Sequence, residues 1–189
     1  MPTPPSGTLR SVARINPRFA PPPSRSVLSV VLFVSDIHFG RADAATEREK
    51  ERDLIACLRA HDSADHLYLV GDVFDQYIEY PHLIPKGFAR FQGLLAEWCD
   101  RGVPITYVAG NHDPWHRSYF AEEFGARIAY DGVIEPIEGR TVYVTHGDAV
   151  ATTSSLYPHL RPWMRHPVCT ALYRTLLPAD AGYRLARWV

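Results

Sequence analysis

The sequence is poor in cysteine and has no long apolar run. Its 189 residues include three cysteines, Cys57, Cys99 and Cys169, which are too few and too scattered for a disulfide framework or a zinc cluster. We therefore expect reduced, buried thiols. No apolar run approaches the roughly 20 residues that cross a bilayer, and the first residues lack the apolar stretch of a secretory signal. These absences predict a cytoplasmic protein.

Acidic residues are absent from residues 1–26, which hold four arginines and seven prolines. This composition predicts a disordered Pro/Arg-rich leader. Residues 27–148 hold 11 basic and 20 acidic side chains, whereas residues 149–189 hold five arginines and one aspartate. We therefore expect a leader over 1–26, an acidic core over 27–150 and a basic segment over 151–189. The chain stops within a helical pattern, which predicts a fragment or a truncated gene model.

Four apolar segments, residues 30–34, 67–70, 104–109 and 140–145, have the composition of buried strands. Polar residues follow each of them in turn: Asp36 and His38, then Gly71 and Asp72, then Asn111, His112 and Asp113, then His146 and Asp148. Open α/β sheets place their sites at the carboxyl ends of strands. Carboxylate, amide and imidazole donors suit Mn²⁺, Fe²⁺, Zn²⁺ or Mg²⁺. In an extended Asp-x-His segment, both side chains point the same way and can bind one ion.

Helical patterns separate the first three strands. One runs from Thr46 to Ala60, where Thr46 and Glu49 can form a capping box. A second runs from about Lys86 to Asp100, with core residues at helical spacing: Phe88, Phe91, Leu94, Leu95 and Trp98. The resulting β-α-β-α-β order predicts a largely parallel sheet and an α/β fold. We expect the acidic residues of the first helix to face solvent: Glu47, Glu49, Glu51 and Asp53.

Turn signals and prolines divide the rest of the chain into short elements. Residues 126–130, 133–137 and 141–145 read as short strands separated by Asp-Gly and Glu-Gly turns. From residue 152 onward, aromatic and leucine residues alternate with five arginines, and prolines divide the stretch into short helices. These helices pack on the sheet with arginines outward, or they form a cap or a membrane-facing surface. Six histidines are expected at surface or loop positions: His61, His66, His82, His116, His159 and His166.

The ordered motifs between Asp36 and Asp148 resemble the calcineurin-like metallophosphoesterases. That family carries Asp-x-His, Gly-Asp-x-x-Asp, Gly-Asn-His-Asp/Glu, a histidine before glycine, and a final Gly-His-x-His. The first four parts are present here, and the last is absent. The resemblance implies a metallophosphoesterase-type β-sandwich flanked by helices, incomplete at its C-terminus. It also implies two divalent ions, for which we expect Mn²⁺, with Fe²⁺, Zn²⁺ and Mg²⁺ as alternatives.

The resemblance also implies the ligands of each ion. It assigns Asp36 and His38 to one ion and Asn111 and His146 to the other, with Asp72 bridging both.

A catalytic role is implied for two further residues. His112 stabilises the transition state or protonates the leaving oxygen, and Asp113 orients its imidazole. Asp75 and Asp148 would support the site from outside the ligand set.

Residues 151–189 resemble the helical insert of the UDP-2,3-diacylglucosamine diphosphatases. Tyr157, Arg161 and Arg165 fall in the matching run and are expected to bind substrate. The implied function is a dinuclear-metal phosphoesterase or pyrophosphatase that acts on UDP-2,3-diacylglucosamine or a similar nucleotide-linked lipid precursor. We expect no nucleic acid partner, and contact with the inner face of the membrane is consistent with such a substrate.

Two alternatives stay open. Residues 153–155 are Thr-Ser-Ser where that family is acidic, and the third motif reads Asn-His-Asp where it often reads Asn-Arg-Asp. A soluble nucleotide phosphodiesterase or phosphatase therefore remains possible. Because the last motif is absent, so does a non-catalytic binding member of the fold.

Overall fold

The computed structural model describes residues 29–148 and 157–188. The expected leader over 1–26 and the Thr-Ser-Ser run at 153–155 lie outside the described residues.

A four-stranded parallel sheet forms the centre of the protein. Its strands lie side by side in chain order: β1 (Val31–Val34), β2 (His66–Val70), β3 (Ile105–Val108) and β4 (Arg127–Ala129). Three helices connect them: α1 (Ala44–Arg59), α2 (Ala89–Asp100) and α3 (Tyr119–Phe124). The register places Val34 beside Leu69 and Val70 beside Val108, so β1, β2 and β3 end at the same edge. This arrangement confirms the predicted order and brings the polar motifs together.

The core lies on both faces of the sheet. On one face, α2 buries the apolar stripe that its spacing predicts, including Phe91, Leu94, Leu95 and Trp98. On the other face, an antiparallel hairpin of β5 (Val133–Ile137) and β6 (Arg140–Val144) packs against Tyr68 and Val108. The hairpin turns at Glu138 and Gly139, both with positive φ, as the turn signal predicted. Sheet and hairpin thus form two layers, in agreement with the expected fold class.

The start of α1 differs from the prediction. Asp43 is the N-cap, and its carboxylate accepts hydrogen bonds from the backbone N–H groups of Ala45 and Thr46. The expected capping box of Thr46 and Glu49 was wrong because a better N-cap residue lies three positions earlier.

Two acidic residues of α1 that were expected in solvent are buried, namely Glu47 and Glu51. The Glu51 carboxylate accepts hydrogen bonds from the backbone N–H groups of Arg90 and Phe91 at the start of α2. These donors have no partner within their own helix, so a buried carboxylate satisfies them. The α2 helix begins at Ala89, after Gly87 and Phe88, whose positive φ values interrupt the helical path predicted from Lys86.

Two further predictions about individual residues were wrong. His116 is buried against Tyr77 and Tyr107 instead of lying at the surface, and His66 lies within β2. The three cysteines are free, as expected, but none is fully buried: Cys57 is exposed, and Cys99 and Cys169 are half-buried.

Three helices follow the sheet and are named here the cap: α4 (Tyr157–Arg165), α5 (Pro167–Leu176) and α6 (Ala179–Trp188). Pro167 begins α5 and Pro178 precedes α6, as expected, whereas Pro162 lies inside α4. The Trp115 indole N–H donates to the Met164 carbonyl over 2.7 Å and joins the cap to the core. Among the described residues, no helix is long and apolar enough to cross a membrane.

Two arginines of the cap point toward the core, contrary to one of the predictions. Arg161 and Arg165 point inward to carboxylates of the core, whereas Val168, Leu172 and Leu176 of α5 are exposed. The expectation that arginines would point outward was therefore wrong for Arg161 and Arg165, whereas Arg184 of α6 is exposed.

Candidate metal centre

Backbone hydrogen bonds hold the loop after β1 against the loop after β2. Asp36 N–H donates to the Gly71 carbonyl over 3.2 Å, and His38 N–H donates to the Asp72 carbonyl over 2.9 Å. A third bond joins Phe39 N–H to the Val73 carbonyl over 2.9 Å. These bonds continue the pairing of the two strands beyond their ends and bring both motifs to one place.

Three residues of these loops have a left-handed backbone: Asp36, His38 and Asp72, with φ values of 55°, 50° and 53°. Such conformations cost about 1–3 kcal/mol each for residues other than glycine and are concentrated at functional sites. Asp36 and His38 therefore do not lie on one extended segment. The expectation that strand geometry directs both side chains to one ion was wrong in this respect.

Asp72 lies between two groups of metal-ligating side chains. Its Oδ2 atom is 3.7 Å from His38 Nε2 and 3.4 Å from His146 Nε2. One group consists of His38, Asp72 and His112, and the other of Asp36, Asp72 and His146. Within each group the ligand atoms lie within 4.8 Å of one another. Asp72 is common to both groups, which is the arrangement that a bridging carboxylate requires.

Asn111 lies beside the second group. Its Oδ1 atom is 3.1 Å from His146 Nε2, so Asp72, Asn111 and His146 meet as the sequence suggested. The first group differs from the expected set because His38 is placed with His112 and not with Asp36.

Two glycines leave room for these side chains. A Cβ atom on Gly71 would lie 2.6 Å from the His146 ring, and a Cβ atom on Gly110 would lie 2.1 Å from Asp72 Oδ1. Both distances are shorter than real Cβ contacts allow. The glycines before Asp72 and Asn111 are thus required by close packing around the side chains of His146 and Asp72.

His146 has one ring nitrogen available for a cation. Its Nδ1 atom lies 3.0 Å from the Val70 carbonyl, which can only accept, so Nδ1 carries the hydrogen. The Nε2 atom then faces the oxygens of Asp72 and Asn111. A nitrogen facing two acceptors needs a proton or a metal ion between them.

The charges in the site agree with this geometry. The hydrogen bond with Asp72 raises the pKa of His146 to about 9, against the opposing effect of burial. Burial would raise the pKa of Asp72, but its hydrogen bonds with His146 and with the His112 N–H, together with nearby positive charge, lower it. Among the described residues, the His38 Nδ1 atom is buried and has no hydrogen-bond partner. Carboxylate, amide and imidazole donors around an unsatisfied nitrogen fit a divalent metal ion.

Asp113 holds the backbone of the site. Its carboxylate accepts hydrogen bonds from five described donors, none of which is the His112 imidazole: the N–H groups of Asp72, Val73, Phe74 and Gly110, and the hydroxyl of Tyr107. The expected orienting contact with His112 is therefore not made by this residue.

Asp75 contacts the His112 ring instead. The His112 Nδ1 atom lies 3.0 Å from the Asp75 backbone carbonyl and 3.8 Å from its carboxylate. The same carboxylate lies 3.4 Å from His38 Nδ1. Asp75 is the second aspartate of the Gly-Asp-x-x-Asp motif, so its position in the sequence was the signal for this role.

Comparison with known proteins identifies the family. A family model described as calcineurin-like phosphoesterase matches residues 29–172. The chain belongs to this family. Two UDP-2,3-diacylglucosamine hydrolases are similar to this calcineurin-like phosphoesterase. That of Porphyromonas gingivalis (strain ATCC BAA-308 / W83) is 36% identical over 152 residues, which cover 79% of this chain and 58% of the relative. That of Pseudomonas aeruginosa (strain UCBPP-PA14) is 31% identical over 163 residues, which cover 83% and 63%.

The chain thus spans about three fifths of the length of these relatives.

In this calcineurin-like phosphoesterase, Glu47 supports the loop that carries His38. Its carboxylate accepts hydrogen bonds from Gly40 N–H over 2.9 Å and from Ala42 N–H over 2.8 Å. Lys50 lies beside it and donates to the His38 carbonyl over 3.0 Å. Sequence reasoning missed both residues because helical periodicity alone does not distinguish a buried acidic residue from a solvated one.

The expected substrate-binding arginines are paired with core carboxylates. Arg161 Nε lies 2.8 Å from Asp148 Oδ2, and Arg165 Nη2 lies 3.5 Å from the same oxygen. Arg165 also donates to the Gly110 carbonyl over 3.0 Å, directly before Asn111. Tyr157 begins α4, and its side chain lies outside the described part of the chain. The two arginines therefore connect the cap to the edge of the metal centre.

Proposed function

We propose that this chain carries the site of a metal-dependent hydrolase of phosphoric esters or anhydrides. The observation that carries the proposal is the position of Asp72 between two donor groups. His38 with Asp72, and Asp36, Asn111 and His146 with Asp72, would hold two divalent ions. Mn²⁺ is the proposed metal because these mixed oxygen and nitrogen donors suit it.

The ions, when bound, would neutralise the phosphoryl oxygens and lower the pKa of a water molecule to about 7. The chain itself supplies His112. Because its Nδ1 atom carries a hydrogen toward the Asp75 carbonyl, Nε2 is the atom available to exchange a proton with the leaving oxygen. Asp113 would contribute by fixing the loop on which Asp72 lies and not by touching the substrate.

The proposed substrate is UDP-2,3-diacylglucosamine or a similar nucleotide-linked lipid precursor. The names of the relatives support it, and so does the cap. Val168, Leu172 and Leu176 recur at four-residue spacing on α5 and leave an apolar stripe exposed. An exposed apolar stripe beside a positively charged cap suits acyl chains and the membrane from which such a substrate is drawn.

The test compares hydrolysis of UDP-2,3-diacylglucosamine in detergent with hydrolysis of its deacylated analogue by the full chain with Mn²⁺. We expect the acylated compound to be cleaved far faster. Equal rates would favour a soluble nucleotide phosphodiesterase and would contradict the lipid-linked substrate.

Metal content is measured in parallel. Asp72→Ala should lose both ions, because it removes the donor common to both groups, whereas Asn111→Ala should weaken chiefly one. Retention of two ions by the Asp72 variant would contradict the bridging role, whatever the substrate.

A further inference from the structure

A cavity of about 550 Å³ lies between the cap and the loop that follows Asp113. We call it the Arg174 pocket. Its apolar wall is made by Trp115, Tyr130 and prolines of both segments, and three guanidinium groups face it, from Arg161, Arg165 and Arg174. One carboxylate, that of Asp131, also lines the pocket. The pocket therefore combines flat apolar surface with an excess of positive charge.

Two of the three arginines already have carboxylate partners. Arg161 and Arg165 form ion pairs with Asp148 and with Asp131. Within residues 29–148 and 157–188, no carboxylate oxygen lies within 4.0 Å of an Arg174 nitrogen. It donates to the Trp115 carbonyl over 3.0 Å and lies 6.0 Å from the centre of the Trp115 ring. The Glu79 carboxylate attracts this charge only from a greater distance, so Arg174 brings to the pocket a positive charge that no described carboxylate contacts directly.

Polar atoms of the pocket lining also lack partners. The Arg174 Nε atom and both ring nitrogens of His116 are buried without a hydrogen bond among the described residues. A buried polar atom that is left unsatisfied destabilises the folded state. Burial lowers the pKa of Arg174, and the Glu79 carboxylate acts in the opposite sense. An anion in the pocket would satisfy the charge and the unpaired donor together.

The pocket and the metal centre share one loop. Arg165, which lines the pocket, donates a hydrogen bond to the Gly110 carbonyl. The next two residues, Asn111 and His112, lie at the metal centre. The same loop continues into Pro114, Trp115 and His116, which line the pocket. The pocket therefore adjoins the loop that carries Asn111 and His112.

We propose that the Arg174 pocket is an anion-binding site for a planar or apolar compound that carries a phosphate or carboxylate group. This site is separate from the one that the proposed function requires, and binding to it does not require the metals. Arg174 would bind the anion, and Trp115 and Tyr130 would contact the planar or apolar body that carries it.

The test is isothermal titration calorimetry of the full chain with phenyl phosphate, benzoate and benzyl alcohol. Titrations are made with Mn²⁺ and again after chelation with EDTA, so that anions bound at the metal centre are recognised. We expect phenyl phosphate to bind the chelated protein, and Arg174→Gln to weaken this binding by about tenfold or more, the effect of losing a hydrogen bond to a charged group. Arg174→Lys, which keeps the charge, should weaken it less.

The matched control is Arg184→Gln, which removes an exposed arginine of α6 and should bind phenyl phosphate as the unaltered chain does. Tighter binding of phenyl phosphate than of benzoate would identify a phosphate site, and the reverse a carboxylate site. Benzyl alcohol binding as tightly as either anion, no binding of any probe, or equal binding by Arg174→Gln would overturn the proposal.

Anion binding in the pocket and hydrolysis at the metal centre can be tested independently. Asp72→Ala should still bind phenyl phosphate after chelation. Hydrolysis without anion binding would refute the anion-binding site alone, and anion binding without hydrolysis would refute the proposed function alone.

Discussion

At the scale of single residues, backbone carbonyls fix which ring nitrogen of His112 and of His146 carries the hydrogen. In both rings Nδ1 lies 3.0 Å from a carbonyl, that of Asp75 for His112 and that of Val70 for His146. Both rings therefore present Nε2 to the site. The two residues differ in what Nε2 faces, since that of His146 meets Asp72 and Asn111. Metal binding is thus the expected role of His146, and proton exchange that of His112.

We predict that His112→Ala lowers kcat by about 10²–10⁴ while metal content stays intact, the usual effect of losing a general acid. The measurement combines steady-state kinetics with metal analysis of the same sample. His146→Ala is the comparison and should lose metal from the second group. Loss of metal from the His112 variant would make His112 a ligand, as its place beside His38 and Asp72 allows.

A second residue prediction concerns pH. Burial lowers the pKa of His116 to about 4 and outweighs the attraction of Asp113 and Glu79. An unfolded histidine titrates near 6.5, so the unfolded chain binds the proton first as pH falls. The free energy of unfolding should therefore be unaffected by His116 above pH 6.5. It should then decrease between 6.5 and 4, by up to about 3 kcal/mol.

His116→Phe keeps an aromatic ring against Tyr77 and Phe120 and removes the titration. Urea unfolding at pH 4.5 and at pH 7.5 should show a smaller difference for this variant than for the unaltered chain. The same difference in both proteins would show that other groups cause the acid sensitivity.

At the scale of elements, α1 supports the metal centre through one side chain. Glu47→Ala would leave the N–H groups of Gly40 and Ala42 without their acceptor, and the loop that carries His38 would lose its anchor. We predict a loss of about 1–3 kcal/mol in the free energy of unfolding. We also predict metal affinity weaker by about 10–100-fold, the usual effect of removing a group that orients a ligand.

Asp43→Ala provides the control, because it removes the N-cap of the same helix without touching the loop. It should lower the stability of the protein and leave Mn²⁺ affinity unchanged. If both variants lose metal affinity equally, the loss is caused by lower stability of the helix and not by the missing hydrogen bonds of Glu47.

Elements with a regular pattern could be predicted from the sequence, and contacts between distant residues could not. Strands β1 to β3 and the buried stripe of α2 follow from apolar runs and helical spacing. The burial of Glu51 depends on Arg90 and Phe91, about forty positions away, so no local pattern indicates it. The candidate ligands could be named from the sequence because they directly follow strands, whereas Glu47 and Lys50 lie on a helix whose sequence predicts a solvated face.

At the scale of the whole molecule, buried ion pairs attach the cap to the core. Asp148 is almost fully buried and pairs with Arg161 and Arg165, whereas Asp131 contacts the same arginines from an exposed position. The sequence could not indicate that these arginines point inward, because their partners come together only in the fold. Removing one member of a buried pair is much more destabilising than removing an exposed one.

We predict that Asp148→Asn increases amide hydrogen exchange in α4 and α5 relative to β2 and β3. Asp131→Asn should have a small effect, since its carboxylate is 84% exposed. Hydrogen exchange with mass spectrometry measures both variants. An equal increase in the two variants, or none in either, would contradict attachment of the cap through Asp148.

The five hydrogen bonds that Asp113 accepts have a consequence for metal exchange in the folded protein. These bonds hold the backbone around Asp72 in place without a bound ion. The loss of an ion should therefore leave the structure of the site largely unchanged. Ions can then be replaced in the native state. The metal found in a purified sample would report the ions it last met, and not those available when the chain was made.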